Sequence, residues 1–294
     1  MGLQNRENNK LEYNRRLINP AFLFMLPAVL LFILLALYPT LQALWTSLFQ
    51  YNITRPLEKT FIFLGNYIDL LTSQRFWLAF GRTAIYVIVS VGLSFTIGFG
   101  VALLLSKIKR MKNFFQASLL IPMIISPTVA AYNFRFMYNY NFGIFNEILT
   151  QLGFSRIDFL GHEVLALFST ILIDVWQWTP LVILILLAGI ESLPREPYEA
   201  ALVDGAGPIK TFFSLTLPLL KPFIVVTLLL RLMDSVKVYE YVYLVTSGGP
   251  GRSTETLNIY LSTVGFDWFE LGQASAIGFI ILNCTALVAM LFVK

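Results

Sequence analysis

The sequence contains almost no cysteine or histidine and little charge. Cys284 and His162 are the only residues of their types, so the chain can form neither an internal disulfide nor a cluster of Cys and His metal ligands. Charged residues make up 13% of the chain, against about 25% in a typical soluble domain. No glycine-rich phosphate loop, His-Glu-x-x-His or Gly-x-Ser-x-Gly string occurs. These absences disfavour an enzyme and exclude ATP binding at a P-loop.

Long apolar runs dominate what is present. Hydrophobic residues make up 57% of the 294 residues, and the mean hydropathy is +0.71. Six runs reach the length of about 20 residues that crosses a bilayer, approximately 22–44, 83–105, 114–137, 165–188, 223–246 and 271–293. No small-residue cleavage site follows the first run, which favours a retained span over a signal peptide. The sequence therefore predicts an all-α integral membrane protein with about six transmembrane helices in one domain, 22–294, after a cytoplasmic segment, 1–21.

Lysine and arginine are unevenly distributed around these runs. Twelve fall on one side, namely Arg6, Lys10, Arg15, Arg16, Lys107, Lys109, Arg110, Lys112, Arg195, Lys210, Lys221 and Lys294. Six fall on the other, namely Arg55, Lys59, Arg75, Arg82, Arg156 and Arg252. The more basic side is expected in the cytoplasm, which places both termini and the 190–222 loop there. Because topology accounts for the net charge of +4, we expect membrane lipid and not nucleic acid as a partner.

The 190–222 loop carries local signals for two short helices. A proline with an acidic residue suits the start of the first helix, and glycine suits its end. A further proline suits the start of the second helix, whose aromatic face is predicted to continue until the next proline. In chain order these residues are Pro197, Glu199, Gly205, Gly207, Pro208, Phe212, Phe213, Leu217 and Pro218. Such a pair can pack on its own bundle or dock on another protein, and these signals leave both open.

The same loop contains a longer string, Glu199-Ala200-Ala201-x-x-Asp204-Gly205-Ala206, which is followed by Leu217-Pro218. This string resembles the EAA loop of ATP-binding cassette (ABC) importer permeases, and in particular of the maltose-type sugar permease family. Other strings that resemble the family are Gly65-Asn66-Tyr67, Phe76-Trp77, Pro122, Pro127, Trp176, Trp178, Thr246-Ser247-Gly248-Gly249-Pro250, Thr254 and Thr256-Leu257. The resemblance covers the chain from about residue 20. It departs from the family at Arg82-Thr83, where Asn-Thr is expected, and in having almost no tail after the last span.

The resemblance implies the transmembrane subunit of an ATP-driven importer that moves a sugar, polyol or oligosaccharide across a bacterial or archaeal inner membrane. It also implies that the chain is not an enzyme and holds no cofactor. ATP-Mg would belong to two separate ATPase subunits, and a second permease and an extracytoplasmic substrate-binding protein would complete the assembly. An ion-gradient-driven secondary transporter is the alternative, although it would be expected to show inverted repeats.

The resemblance further implies an ATPase-docking set within the loop. In that set Glu199 would face basic groups of the ATPase, Gly205 would form the tight turn, and the alanines would permit close approach. The docking residues are Glu199, Ala200, Ala201, Asp204, Gly205, Ala206, Phe212, Phe213 and Pro218.

Polar side chains within the spans are the candidates for a substrate path, because charge at membrane depth normally faces a cavity or a partner group. Arg231, Asp234 and Lys237 recur at intervals of three, which places them roughly on one helix face. They predict either a path for a hydroxyl-rich ligand or an Arg231–Asp234 pair that locks helices together. The full set of candidates is Asn133, Asp174, Gln177, Arg231, Asp234, Lys237, Tyr239, Tyr243 and Asn283. No metal site is predicted.

Overall fold

Helices form nearly all of the chain in the computed structural model, which describes residues 20–108 and 110–293. In chain order they are α1 (Pro20–Phe32), α2 (Tyr38–Ser47), α3 (Gly65–Thr72), α4 (Gln74–Ser106), α5 (Lys112–Ile124), α6 (Pro127–Met137), α7 (Ile144–Gln151), α8 (Glu163–Glu191), α9 (Glu196–Val203), α10 (Pro208–Thr211), α11 (Leu217–Ser235), α12 (Glu240–Thr246), α13 (Leu257–Ser262) and α14 (Leu271–Val293). The predictions for segment 1–19, Lys109 and Lys294 lie outside the described residues.

Short irregular elements complete the chain. The π-helical turns are Ile33–Leu37, Phe212–Thr216 and Thr263–Asp267, and a 3-10 turn covers Pro56–Glu58. The strands β1 (Phe49–Gln50) and β2 (Thr60–Phe61) pair antiparallel. The first π-helical turn joins α1 to α2, and the second joins α10 to α11, so each pair is one continuous helical rod.

Within residues 20–108 and 110–293, five helical rods are long and apolar enough to cross a membrane. They are Phe24–Ser47, Gln74–Ser106, Glu163–Glu191, Pro208–Ser235 and Leu271–Met290. The helices α5 and α6 pass the same test only when they are taken together, which gives up to six spans. The predicted all-α membrane fold is therefore confirmed.

The third predicted span is sharply broken. The axes of α5 and α6 differ by 89°, and Ile125 and Ser126 between them are extended, with ψ of 130° and 138°. The cause is Pro127, because a proline disfavours helical backbone in the residue before it. Pro122 lies inside α5 without ending it.

The fifth predicted span, 223–246, is wrong at both ends. The helical rod begins at Pro208, inside the predicted loop, and stops at Ser235. Pro218 does not end the second loop helix, because the wider π-helical turn at Phe212–Thr216 precedes it and eases the clash of the proline ring with the preceding turn. Beyond Ser235 the chain turns and restarts as α12, and neither proline nor glycine marks that turn.

The buried core lies mainly between α4 and α8. Gly98 on α4 allows close approach, because a Cβ there would lie 2.6 Å from a methyl carbon of Val182 on α8. Leu186 and Ile171 on α8 are fully buried, as is Tyr86 on α4. This helix pair is the framework on which the two candidate sites are built.

Candidate functional site

The first site is a helical hairpin, residues 196–216, which we call the coupling hairpin. Its first helix, α9, ends in a tight turn in which Gly205 has φ of +72°. The N–H of Gly205 donates to the carbonyl of Leu202 at 3.1 Å, and that of Ala206 donates to the carbonyl of Ala201 at 2.9 Å. This glycine-dependent closure satisfies carbonyls that the helix end leaves free. The predicted helix start and glycine stop are confirmed.

One side of the hairpin is attached to the bundle. The Phe212 ring packs 5.9 Å, between centroids, from that of Phe99 on α4. The Tyr198 hydroxyl donates to the Oγ1 of Thr216 at 3.1 Å, which joins the two arms of the hairpin. Lys112 and Glu191 form an ion pair between the nearby ends of α5 and α8. The Phe212–Phe99 contact thus attaches the hairpin to the end of the bundle, and the ion pair lies on the adjoining helix ends.

The opposite side of the hairpin is uncovered by the described residues. The exposed fractions are 75% for Leu202, 89% for Val203, 75% for Ile209 and 62% for Phe213. Large exposed apolar side chains of this kind mark an interaction surface. Glu199 is exposed and forms no ion pair with any residue in the described part of the chain. One face of the loop therefore packs on the bundle, as the first alternative predicted, whereas docking on another protein stays a prediction for the face that the described residues leave exposed.

Two grooves flank the coupling hairpin, with volumes of about 650 and 740 Å³. The first is lined by Leu202, Ile209 and Phe213, and the second by Glu199 and Arg195. The remaining predicted docking residues are distributed over both faces. Ala200, Asp204, Gly205 and Pro218 are exposed, whereas Ala201, Ala206 and Phe212 are half-buried.

The second site is a polar network in the interior of the bundle, which we call the Arg231 network. Arg231 on α11 is 1% exposed, and its Nη2 donates to the Oδ2 of Asp174 on α8 at 2.6 Å and to the Oγ of Ser90 on α4 at 3.0 Å. Ser90 also donates to Asp174. The second Arg231 nitrogen, Nη1, lies 3.3 Å from Asp234. The Arg231–Asp234 pair is present, but the buried partner that links helices is Asp174.

A cavity of about 300 Å³ adjoins this network. Asp234, Lys237 and Trp178 line it, and the side chain of Asp234 is 49% exposed. Lys237 is also exposed. The two charged side chains that the sequence placed on the face of Arg231 therefore line open space, whereas Arg231 borders the cavity with its charge already paired.

The other predicted path residues are dispersed. Gln177 is 1% exposed, and both ends of its amide are hydrogen-bonded within the chain. The rings of Tyr239 and Tyr243 stack with centroids 5.0 Å apart, and Tyr243 is 46% exposed. Asn133 is exposed on α6, and Asn283 is exposed on α14, where its amide donates to its own helix at Phe279. The structure does not bring Asn133 or Asn283 into the Arg231 network.

Sequence reasoning missed a third polar centre at the opposite end of the bundle. Glu255 is 3% exposed and accepts two hydrogen bonds from Arg75, at 3.0 and 2.5 Å. The guanidinium of Arg75 also lies over the rings of Tyr260 and Trp268, each with a centroid distance of 4.6 Å. Burial raises the pKa of the Tyr260 phenol above its usual range, although neighbouring Arg75 opposes the shift. The only sequence signal was an acid, Glu255, between Thr254 and Thr256, and the structure shows that both threonines are buried.

The described residues offer no group of three or more His, Cys, Asp or Glu side chains placed to hold a metal ion. In the Arg231 network both terminal nitrogens of the guanidinium are paired, whereas its buried Nε has no hydrogen-bond partner among the described residues. The coupling hairpin exposes apolar side chains and acids, among them Glu199. This arrangement is suited to contact with another protein and to passage of a polar solute.

Comparison with known proteins agrees with this arrangement. Residues 96–294 match the family described as binding-protein-dependent transport system inner membrane component. The chain is 35% identical over 271 residues to the trehalose/maltose transport system permease protein MalF of Thermococcus litoralis, covering 92% of this chain and 90% of that protein. It is 33% identical over 274 residues to the sulfoquinovosyl glycerol transport system permease protein SmoG of Agrobacterium fabrum, covering 93% and 89%.

Solved structures agree at the level of fold. A chain of a bacterial ABC transporter involved in the import of the acidic polysaccharide alginate superposes with a TM-score of 0.80 at 21% identity, covering 98% of this chain and 96% of that one. The family match spans well over half of the sequence and includes the coupling hairpin, α11 and α14. The chain therefore belongs to the binding-protein-dependent transport system inner membrane component family, and it is the permease subunit of an ATP-driven ABC importer.

Proposed function

We propose that this permease imports a sugar or a related hydroxyl-rich solute, and that separate ATPase subunits drive it by binding the coupling hairpin. The observation that carries the proposal is the exposed face of that hairpin, which presents Phe213, Leu202 and Glu199 at one end of the bundle. Among the described residues Glu199 has no ion-pair partner. The curated relatives support the cargo class, because their names specify trehalose, maltose and sulfoquinovosyl glycerol. The family assignment replaces the ion-gradient alternative.

The coupling hairpin has the features that a docking element needs. Its first helix places Glu199 in the first turn, beside the positive end of the helix dipole. Its turn depends on Gly205, and its second arm is continuous with α11. A push on the hairpin is therefore transmitted along one helical rod to Arg231 and Asp234. In this proposal ATP-Mg is bound and hydrolysed by the ATPase subunits, and the hairpin converts their closure into helix movement.

The cavity beside the Arg231 network is the proposed part of the substrate path. Charged groups at membrane depth are costly when they face lipid, so the exposed Asp234 and Lys237 require water, cargo or another protein chain. Trp178 supplies an aromatic wall, and hydroxyl-rich ligands commonly combine such apolar faces with a few polar contacts. A second permease would close the open side of this cavity.

The remaining partners and the orientation follow from the two ends of the bundle. Basic side chains lie in or near the coupling hairpin, namely Lys107, Lys112, Arg195 and Lys210, which supports a cytoplasmic position for that end. The opposite end carries β1, β2 and α7, which offer an extracytoplasmic surface for a substrate-binding protein. The proposed assembly contains two permeases, two ATPases and one binding protein, with both termini of this chain in the cytoplasm.

Two substitutions in the hairpin test the docking assignment. Gly205→Pro cannot keep φ of +72°, and Glu199→Lys reverses the charge offered to the ATPase. Each is expected to abolish co-purification with the ATPase and ATP-driven uptake of radiolabelled trehalose or maltose into proteoliposomes that hold the whole assembly. Gly207→Ala is the matched control, because Gly207 has φ of −69° and open space at its Cβ position. Normal docking and uptake by the first two variants would show that the hairpin is not the coupling element.

A further inference from the structure

Gln177 differs from the other polar residues near the cavity because its side chain is fully engaged inside the protein. It is 1% exposed. Its Nε2 donates to the backbone carbonyl of Ile125 at 2.6 Å, and its Oε1 accepts from the Tyr241 hydroxyl at 2.9 Å. Because this amide is buried, is bonded within the chain at both ends and does not line the cavity, it is not placed to contact cargo. Its contribution to transport must therefore lie in what it connects.

The first connection is to the break between α5 and α6. In a continuous helix the Ile125 carbonyl would accept a hydrogen bond from the N–H of Val129, but Ile125 has left the helical conformation, with ψ of 130°, and so loses that donor. A carbonyl without a donor is costly inside an apolar bundle. Gln177 supplies the donor from the middle of α8, which is unbroken over Glu163–Glu191. The 89° bend is therefore fixed to a continuous helix through one side chain.

The second connection leads to the cavity. Tyr241 on α12 donates to Gln177 and accepts a hydrogen bond from the indole Nε1 of Trp178 at 3.1 Å. Trp178 is a wall of the cavity that Asp234 and Lys237 also line. The bonds form a continuous relay from Trp178 through Tyr241 and Gln177 to the Ile125 carbonyl. Each distance lies between 2.6 and 3.1 Å.

We infer that Gln177 is a positioning residue for transport, which couples the Trp178 wall of the cavity to the bend between α5 and α6. A displacement of Trp178 is transmitted through Tyr241 to the donor that holds the bend, and a change at the bend is transmitted back to the wall. The inference extends the proposed substrate path, but it concerns only contacts within this chain and is tested without knowledge of the cargo.

The test measures access to the bend directly with N-ethylmaleimide, on the permease assembled with its partner subunits in membranes. The reporter is Ile125→Cys in a Cys284→Ser background, because Ile125 is half-buried and its backbone carbonyl is unaffected by the substitution. Gln177→Met keeps the length of the side chain and removes both hydrogen bonds. We expect it to raise the labelling rate of the reporter about 5- to 10-fold, the change in population expected when one buried hydrogen bond is lost.

Tyr241→Phe removes the central hydroxyl of the relay and leaves the Gln177–Ile125 bond in place. It should raise the labelling rate about 2-fold, since Gln177 then loses one of its two anchors. The double variant should label no faster than Gln177→Met alone, because both substitutions act through the same bond. If Gln177→Met does not assemble, Tyr241→Phe decides the question, and a labelling rate equal to that of the unaltered relay overturns the proposal.

Two controls separate a specific release of the bend from general loosening. Thr179→Val removes another buried hydroxyl of α8, whose bond runs only to Val175 in the same helix, and it should leave the reporter rate unchanged. The native Cys284, half-buried on α14, reports the whole bundle when it is the sole cysteine. Gln177→Met should not alter its labelling rate. Equal acceleration at Cys284 and at the reporter, or no acceleration at either, would show that Gln177 only packs.

Discussion

The coupling hairpin and the Arg231 network are the two candidate sites of this permease, and they differ in how far their side chains are paired within the chain. In the hairpin, Glu199 and Phe213 are exposed, and no described residue of the chain pairs with the acid. In the network, Arg231 and Asp174 are 1% and 2% exposed and bind each other across two helices. The hairpin has free groups for a partner, whereas the network has used most of its groups to hold α4, α8 and α11 together.

This difference separates residues that act on other molecules from residues that hold the bundle. A buried ion pair with its hydrogen bonds made contributes to the arrangement of helices, and removal of one partner leaves a charge without compensation. An exposed side chain contributes little to the stability of the chain itself. Asp234 lies between these extremes, because one oxygen faces Arg231 at 3.3 Å while the side chain is 49% exposed in the cavity.

The largest effect is expected inside the network. Arg231→Met leaves Asp174 buried with only Ser90 as a partner, and loss of one member of a buried ion pair destabilises a protein by about 3–5 kcal/mol. The melting temperature of the purified assembly, measured by fluorescence-detected gel filtration, should fall sharply. The double variant Arg231→Met/Asp174→Leu should regain most of the loss, since it removes both charges.

Lys237→Met is the matched control on the same face, because Lys237 is exposed and forms no ion pair among the described residues. Its melting temperature should stay close to that of the unaltered assembly, because a substitution at an exposed position usually changes the free energy of unfolding by no more than about 0.5 kcal/mol. Equal losses for the two single variants would mean that the network does not hold the helices together.

The hairpin was predictable from sequence because its signals are local. Gly205 and Pro208 act within a few residues of themselves, so the turn and the start of the second helix follow from the string alone. The bend at Pro127 is also local. By contrast, the helix end at Ser235 has no proline or glycine to mark it, and apolar residues continue beyond it. Hydropathy therefore extended the predicted span through a break that tertiary contacts create.

The network was only half predictable. The spacing of Arg231 and Asp234 placed them on one helix face, but the rotation of α8 that brings Asp174 to Arg231 is set by packing against α4. The pair of Arg75 and Glu255 could not be predicted for the same reason, because its members are 180 residues apart in the sequence. The sequence identifies the charged residues, whereas their ion-pair partners depend on which helix faces pack together.

Substitution of Asp234 is expected to have an effect of intermediate size, on transport and not on stability. Asp234→Asn removes charge from the cavity wall and leaves Arg231 paired with Asp174. If Asp234 faces cargo, the KM for uptake of the transported sugar should rise about 10-fold, which corresponds to about 1.4 kcal/mol, while the melting temperature is unchanged. Asp69→Asn, an exposed acid on α3, is the control and should alter neither. A lowered melting temperature with unchanged KM would assign Asp234 to the network instead.

The smallest effects are expected for substitution of two neighbouring phenylalanines, one on each face of the hairpin. Phe213→Ala should weaken binding of the ATPase to the permease in nanodiscs about 5-fold, or about 1 kcal/mol, without changing the melting temperature, because its ring is 62% exposed. Phe212→Ala should instead lower the stability by about 1 kcal/mol, since its ring packs against Phe99. Interferometry with purified ATPase and thermal unfolding distinguish the two outcomes. If instead Phe212→Ala weakened ATPase binding and Phe213→Ala lowered the stability, the attached face of the hairpin would be the one that binds the ATPase. The hairpin would then have to leave the bundle during the transport cycle.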